Sequence, residues 1–299
     1  NALNTTENAR LIIFDQFENL LDWQTGHALV DRPGVGEWID AMNSQQCRCK
    51  ILLTTRLWPQ GNREYPPTYM QEYFVRGLEV NEGVEFLRKQ GIEADEKELR
   101  NVVELCNGHA YGLTLLAALL RNRGLSLAAF FRDPTYAQLW TGNIARNLLD
   151  HIYKEQLDTL QRKLLRAFSV FREPVPLEAP GTLLDEGVSK VQLQSVLDAL
   201  LTQHLLQASG EGSYQLHAIV ASYAQGHFVE GDEQTNEVAV QVAHSKAAKY
   251  YLQVFRTKYP SRDKRQGISD VEPLIEAIWQ YCQAEQWQGA YNLMEQERI

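Results

Sequence analysis

The chain has 299 residues, of which 44% are hydrophobic and 10% aromatic, so it can bury a core and predicts roughly two to four domains. Its formal net charge of −9 disfavours proteins that coat nucleic acid or anionic membranes, because phosphate binding depends on clustered lysine and arginine. The four cysteines form no CxxC pair, and no apolar run reaches the roughly 20 residues of a membrane helix, so a cytoplasmic chain with reduced thiols is expected.

The first region alternates strand and helix. The apolar run at 11–14 is typical of a parallel strand buried on both faces, and a second strand is predicted at 50–55. The helix between them has its apolar residues on one face: Val35, Trp38, Ile39 and Met42. This order predicts a βαβ crossover in an open α/β sheet. Because two strands do not make a domain, the chain is expected to begin partway through one.

Helices dominate after residue 78. The first of them end at Gly108 and Gly124, since glycine is a frequent helix stop. Further helices at 157–171 and 190–204 precede two short extended runs that are joined by Ser-Gly-Glu-Gly at 209–212, a hairpin signal. Helix, helix, hairpin is the order of a winged-helix unit.

The last helices predict a second helical region. The final pair forms an αα-hairpin with a face made of Trp287, Ala290 and Leu293, which is typical of the start of a helical repeat array.

Two acidic residues follow the first strand. In open α/β sheets ligands bind at the carboxyl ends of strands, so Asp15 is positioned to hold Mg²⁺ beside the phosphates of a nucleotide. Glu18 lies one turn further on and is placed to orient or deprotonate an attacking water. The alternative is that both are solvated acids at a strand end.

The second strand ends in polar groups. "KILLTTR" delivers hydroxyls from Thr54 and Thr55 and the guanidinium of Arg56 to the same edge of the sheet. Arginine suits a γ-phosphate because its planar donors stay charged and bind bidentately. An acid for the metal and an arginine for the phosphate therefore share one edge.

Four segments in this order resemble the STAND class of P-loop signalling ATPases, which includes the NB-ARC proteins. "LIIFDQFENLL" resembles the Walker B segment and "KILLTTR" the sensor 1 segment. "CNGHAYGLTLLAALL" at 106–120 is similar to the GxP segment, and "YQLHAIVASYA" at 214–224 is similar to the MHD segment.

The resemblance implies a mainly α chain with a partial α/β portion. Its domains would be the C-terminal part of a P-loop nucleotide-binding domain at 1–77, a helical domain at 78–150 and a winged-helix domain at 151–232. A helical sensor of tetratricopeptide-like type would occupy 233–299.

The resemblance also implies site residues. Asp15 would serve Mg²⁺, Glu18 the catalytic water, and Thr55 and Arg56 the nucleotide. His217 matches the histidine that in the family contacts the β-phosphate of ADP. The base pocket would be lined by Gly108, His109 and Ala110.

Three departures from the family pattern stand out. Ala110 occupies the place of a proline that packs on adenine, and Ala218 replaces the MHD aspartate. The sequence contains no G-x-x-x-x-G-K-[ST], the loop that cradles phosphates. The P-loop is expected upstream, or the protein has lost it.

The implied function is a nucleotide-dependent switch for signalling or defence, using ATP or ADP and Mg²⁺. It would pass from an ADP-bound closed state to an ATP-bound homo-oligomer when the C-terminal helices sense a protein or small-molecule ligand, with slow ATP hydrolysis. The alternative is a nucleotide-independent scaffold or transcriptional regulator. DNA binding by the winged helix is disfavoured, because segment 157–228 has five basic and seven acidic residues.

Overall fold

The computed structural model describes residues 11–44, 50–63, 70–140, 143–184, 187–210, 212–229, 233–259 and 262–298. The chain divides into two compact units, Asn1–Val75 and Arg76–Ile299. We call them the strand unit and the helical unit and describe each by itself. The finer division into four domains stays a prediction.

The strand unit is a βαβ crossover. Strand β1 (Leu11–Phe14) and strand β2 (Lys50–Leu53) pair in parallel, and helix α1 (Pro33–Ser44) connects them. The register places Leu11 opposite Lys50 and Phe14 opposite Leu53. A 3-10 turn at Phe17–Leu20 follows β1. The predicted strand, helix and parallel strand are confirmed.

The core of the strand unit is small and lies on one face of the sheet. Phe17, Leu21 and Ile39 are buried, and the predicted apolar face of α1 packs around them. The prediction that β1 is buried on both faces is wrong for the described residues, because Leu11 and Ile13 are 64% and 59% exposed. Side chains alternate along a strand, so one face meets this core while no described residue covers the other.

The helical unit contains most of the chain and is mainly α. Its helices are α2 (Val80–Lys89), α3 (Glu96–Leu105), α4 (Ala110–Arg123), α5 (Leu127–Arg132), α6 (Ile144–Glu155), α7 (Thr159–Ser169), α8 (Glu178–Gly181), α9 (Lys190–Thr202), α10 (Ala218–Gly226), α11 (Glu233–Lys258), α12 (Glu272–Gln283) and α13 (Trp287–Glu297). Among the described residues, no helix combines the length and apolar character needed to cross a membrane.

Local sequence signals explain where these helices begin and end. Asp95, Asp158 and Ser189 are N-cap residues, and each forms a capping box. The N-cap side chain accepts the backbone N–H three residues later, and the Glu or Gln side chain at that position accepts the N-cap backbone N–H. Gly124 ends α4 with φ of 61°, a left-handed conformation that glycine adopts without a Cβ clash. The predicted stop at Gly124 is confirmed.

A three-stranded antiparallel sheet lies within the helical unit. Strand β3 (Val175–Pro176) pairs with β5 (Ser213–Leu216), which also pairs with β4 (Leu206–Ala208). The Ser213 N–H donates to the Gly210 carbonyl over 2.9 Å and closes the β4–β5 turn. The predicted hairpin is confirmed, and the sequence order is α7, β3, α8, α9, β4, β5.

One continuous apolar core runs through the helical unit from α2 to α13. Phe130 and Phe168 are among its largest fully buried side chains. At the far end, Ala290 and Leu293 are buried as predicted, whereas Trp287 is 63% exposed. The predicted apolar face of α13 is therefore wrong at Trp287, which is the first residue of the helix.

Candidate functional site

In the strand unit, the ends of the two strands meet at Asp15 and Thr54. Parallel pairing continues one residue beyond the strands, because the Thr54 N–H donates to the Phe14 carbonyl over 2.9 Å. The Thr54 hydroxyl donates a short hydrogen bond to Asp15 Oδ1 and accepts the Gln16 N–H over 2.9 Å. Thr54 thereby fixes the exposed Asp15 carboxylate at the sheet edge.

Thr55, which the sequence analysis assigned to the nucleotide, bonds instead to its own backbone turn. Its hydroxyl donates to the Leu57 carbonyl over 2.8 Å and accepts the Leu57 N–H over 3.2 Å, so both functions of the hydroxyl serve its own turn. The neighbouring Thr54 is the hydroxyl that reaches Asp15. The inter-strand register identifies it, since the residue after Leu53 must face the residue after Phe14.

Glu18 and Arg56 form an ion pair in the strand unit. The distance from Glu18 Oε1 to Arg56 Nε is 3.4 Å. Glu18 is only 7% exposed, and its Oε2 has no hydrogen-bond partner, whereas the Arg56 side chain is 68% exposed. A buried carboxylate oxygen without a partner is costly, so Glu18 holds an acceptor that the described residues leave unused.

The strand-unit groups fit Mg²⁺ only in company with phosphates. The described residues contain no group of three or more His, Cys, Asp or Glu side chains that could hold a metal ion by themselves. Mg²⁺ at nucleotide sites is bound by one or two carboxylates together with phosphate oxygens and waters. The single carboxylate of Asp15, held by Thr54, suits that second kind of site.

In the helical unit, Gly108 lies where two backbone segments touch. Its φ is 64°, and its carbonyl accepts the Leu78 N–H over 2.8 Å. A Cβ on Gly108 would lie 2.2 Å from the Leu78 carbonyl oxygen, and one on Gly77 would lie 2.4 Å from the Asn107 carbonyl oxygen. Neither position accepts a side chain, so the approach to α2 is held against the turn between α3 and α4.

His109 and Ala110 begin α4. His109 is the N-cap residue, and its Nδ1 accepts the Gly112 N–H over 3.0 Å. Ala110 is the first helical residue, a position that proline favours because the N–H there has no acceptor within the helix. Both side chains are exposed.

His217 caps α10 and stacks on Tyr111. Its Nδ1 accepts the Ile219 N–H over 3.3 Å, and its ring lies parallel to the Tyr111 ring, with centroids 4.0 Å apart. Burial lowers the pKa of His217, and the nearby His109 lowers it further. The imidazole is therefore neutral at pH 7, and because Nδ1 accepts a bond, its proton is on Nε2.

Tyr111 is the residue that the sequence analysis missed. Its hydroxyl donates to the His204 carbonyl over 3.0 Å, and burial raises its pKa. The available signal was its place directly after the predicted Gly108-His109-Ala110 segment. Tyr111 brings that segment together with His217, which lies about a hundred residues later in the chain.

The predicted site residues thus fall into two sets. The strand unit carries Asp15, Glu18, Thr55 and Arg56, and the helical unit carries Gly108, His109, Ala110 and His217. Within each unit the structure brings only some members together: Glu18 pairs with Arg56, and His217 stacks on Tyr111, the residue after Ala110.

Comparison with known proteins finds similar solved structures, among them two ATPases. One is a signal transduction ATPase with numerous domains (STAND) with a tetratricopeptide repeat sensor from Pyrococcus horikoshii, at 17% identity and a TM-score of 0.46. That match covers 96% of this chain, which spans 43% of the Pyrococcus horikoshii chain. The other is a Walker-type ATPase of Pyrococcus abyssi, at 16% identity and a TM-score of 0.28, covering 72% of this chain and 63% of that one.

No protein-family model matches the chain, and no curated protein matches it. At TM-scores below 0.5, the two similar structures do not establish a family for this chain.

Proposed function

We propose that this chain is the switch portion of a STAND-class signalling ATPase, in which bound nucleotide sets the arrangement of the domains. The stack of Tyr111 on His217 carries the proposal, because it brings the GxP-like segment at 106–120 against the MHD-like segment at 214–224. In the family that the sequence resembles, both segments contact the same nucleotide. Two segments this far apart in sequence have no local reason to meet.

The strand unit would serve the phosphate end of the nucleotide. Thr54 orients the Asp15 carboxylate toward Mg²⁺, which would neutralise phosphate charge when bound. Arg56 is exposed and charged, so a γ-phosphate can draw its guanidinium away from Glu18. Glu18 would then be left as a buried carboxylate with two free oxygens, which can bind and orient a water.

The helical unit would contact the nucleotide through helix N-termini and imidazoles. The Nδ1 atoms of both His109 and His217 accept backbone N–H groups, so each ring presents its Nε2–H as a donor. These donors lie at the N-terminal ends of α4 and α10, where the helix dipole favours an anion. Gly108 would shape the base pocket indirectly, because it lets the backbone at Leu78 lie against the turn before α4.

The switch would have two states. ADP contacted by His217 holds the closed state, and a protein or small-molecule ligand at helices α11–α13 favours opening and exchange for ATP. The ATP-bound state would assemble into a homo-oligomer, and slow hydrolysis would reset it. Residues 151–232 would act as a structural winged-helix domain rather than as a DNA reader.

Nucleotide binding by the full-length protein tests this proposal. We expect Arg56→Ala to weaken ATP binding by at least about tenfold and ADP binding less, because it removes one charged phosphate contact. His217→Ala should weaken ADP binding more than ATP binding. Arg63→Ala, which removes an exposed arginine of the same unit, is the control and should leave both affinities unchanged. Absence of Mg²⁺-dependent binding of either nucleotide would remove the switch model.

A second candidate is a nucleotide-independent scaffold or transcriptional regulator with the same architecture. The ion pair between Glu18 and Arg56 favours it, because the arginine assigned to the phosphate already has a partner. A scaffold would oligomerise equally with and without nucleotide and with Asp15→Ala. A regulator would bind DNA at moderate salt, which the excess of acidic residues in segment 157–228 disfavours.

A further inference from the structure

The carboxyl end of α7 receives hydrogen bonds from two other helices. A helix leaves its last carbonyls without partners in the helix. The Gln225 side-chain amide, in α10, donates to the Ser169 carbonyl over 2.7 Å. The Gln280 amide, in α12, donates to the Val170 carbonyl over 2.8 Å. One helix end thereby joins α10, which begins at His217, to the C-terminal helices.

Gln280 is fully buried and has both ends of its amide in use. Its Oε1 lies 2.6 Å from Nδ1 of His244, which is itself 3% exposed. Because the Gln280 nitrogen donates to Val170, its oxygen must accept, so His244 carries a proton on Nδ1. The relative position of α11, α12 and the end of α7 is therefore specified by hydrogen bonds and not by apolar shape alone.

An ion pair lies beside this amide. The Arg172 guanidinium binds the Glu276 carboxylate at two points, with Nη2–Oε1 and Nε–Oε2 distances of 2.6 and 3.0 Å. Glu276 is 6% exposed, and the guanidinium lies 4.7 Å from the Trp279 ring centroid. Of the five buried polar or charged residues in the described part of the chain, four lie here: Ser169, His244, Glu276 and Gln280.

The start of α11 is fixed to the end of α10 at the same place. The Asn236 side chain donates to the Gln225 carbonyl over 2.8 Å and accepts the Val229 N–H over 3.1 Å. We call the following set the α7 joint: Val170, Arg172, Gln225, Asn236, Glu276 and Gln280.

We propose that the α7 joint is the device by which helices α11–α13 set the position of His217. Gln225 lies eight residues along α10 from His217, about 12 Å at the rise of an α-helix, and a helix this short moves as one body. The buried groups of the joint are polar, so water can satisfy them when the helices separate. Such a contact specifies one geometry and still releases, unlike a purely apolar one.

The effect of the α7 joint on nucleotide binding rests on the proposed function. The mechanical link between helices α11–α13 and His217 does not. Release of α11–α13 breaks the bond from Asn236 to the Gln225 carbonyl and the bond from Gln280 to the Val170 carbonyl, and α10 then tilts or loosens at its other end. The stack of His217 on Tyr111 is the contact that responds, and the ionisation of His217 reports it because its pKa is lowered by burial.

The experiment follows His217 by NMR in nucleotide-free chain labelled with nitrogen-15 at histidine. Arg172→Met leaves Glu276 buried without its partner, so we expect α12 to exchange its amides at least about tenfold faster and the pKa of His217 to rise toward about 6.5. Arg172→Met/Glu276→Leu removes both charges and should restore the wild-type titration. Arg265→Met breaks an ion pair with Glu297 in the same C-terminal region, outside the joint, and should leave His217 unchanged.

Each outcome of this experiment bears on whether the α7 joint positions His217. If α12 exchanges faster while His217 titrates as in wild type, the joint does not position His217 and the proposal is overturned. The same holds if Arg265→Met shifts His217 as much as Arg172→Met does. If Arg172→Met does not fold, Gln225→Met replaces it, since it removes the α10 contact alone and should shift His217 without loosening α12. Failure of nucleotide binding would overturn the proposed function and leave this result standing.

Discussion

The two units hold their candidate functional groups in different ways. In the helical unit, His109 and His217 are helix caps whose positions follow from helices packed into one continuous core. In the strand unit, Asp15 and Arg56 are exposed at the rim of a two-stranded sheet, and the described residues of that unit form an apolar core with three buried side chains. The histidines are thus placed by packing within this chain, whereas the carboxylate and the guanidinium depend on single contacts with Thr54 and Glu18.

The largest expected effect separates the two cores. Phe168→Ala in the helical unit removes a 1% exposed ring, and we expect a loss of about 3–5 kcal/mol in the free energy of unfolding. Ile13→Ala in the strand unit removes a 59% exposed side chain and should cost less than about 0.5 kcal/mol. Urea unfolding followed by circular dichroism measures both. Similar losses would mean that the open sheet face is covered in solution.

A second test concerns the backbone contact at Gly108. Gly108→Ala places a methyl group against the Leu78 carbonyl at a positive φ, so we expect a loss of about 2–4 kcal/mol. Gly112→Ala is the matched control in the same region, since its Cβ would meet its neighbours at ordinary distances of 3.6 Å or more. In a helix this change should stabilise by about 0.5–1 kcal/mol. Equal effects at the two positions would contradict the close approach.

Acid should destabilise the helical unit through its buried and half-buried histidines. Burial is the main cause that lowers the pKa of four of them: His151, His204, His217 and His244. Below about pH 6.5 the unfolded chain binds protons that the folded chain does not, so stability falls as pH falls, by up to about 1.4 kcal/mol per pH unit for each such histidine.

His244 is the clearest single contributor because it is only 3% exposed. In His244→Gln, the free energy of unfolding measured between pH 7 and pH 5 should depend less steeply on pH, by the equivalent of about one bound proton. His27→Gln changes an exposed histidine of the strand unit and is the control. If the free energy of unfolding falls with pH as steeply in His244→Gln as in wild type, this imidazole does not resist protonation in the folded chain.

The smallest effect is expected at the start of α4. Ala110→Pro introduces the residue that the GxP segment, which 106–120 resembles, has at a position whose N–H has no helical acceptor. The preceding His109 has φ of −66° and ψ of 102°, an extended conformation that a following proline accepts. We expect a gain of about 0.4–1 kcal/mol from reduced freedom of the unfolded chain, seen as a small rise in Tm. A loss of stability would mean that the Ala110 N–H has a partner.

Sequence patterns predict the regular parts of this fold well. Strand β1 and the hairpin β4–β5 were predicted because an apolar run and a glycine-rich turn are local signals. Strand β3 was not, because it has two residues, one of them a proline, and exists only through pairing with Tyr214 and Ser213. Exposure of Ile13 was missed for a related reason, since burial depends on which elements are present to cover a face.

The candidate site divides in the same way. His109 and His217 were identified from short motifs, and their capping roles are local. Tyr111 was missed, and Thr55 rather than Thr54 was assigned to the nucleotide, because the importance of Tyr111 and Thr54 depends on partners far away in sequence, His217 and Asp15. A register or a ring stack is a property of two segments, which neither segment encodes alone.

Tyr111 contacts the chain at both ends of the β4–β5 hairpin. The Tyr111 ring stacks on His217 after β5, and its hydroxyl binds the His204 carbonyl before β4. Gly210 and Gly212, the described residues at the turn, make neither of these two contacts, so the turn is a natural place to insert a reporter such as a short epitope or a fluorophore. A label in this turn would leave the Tyr111 contacts at both ends of the hairpin in place. The chain could then be followed in cells without disturbing His217.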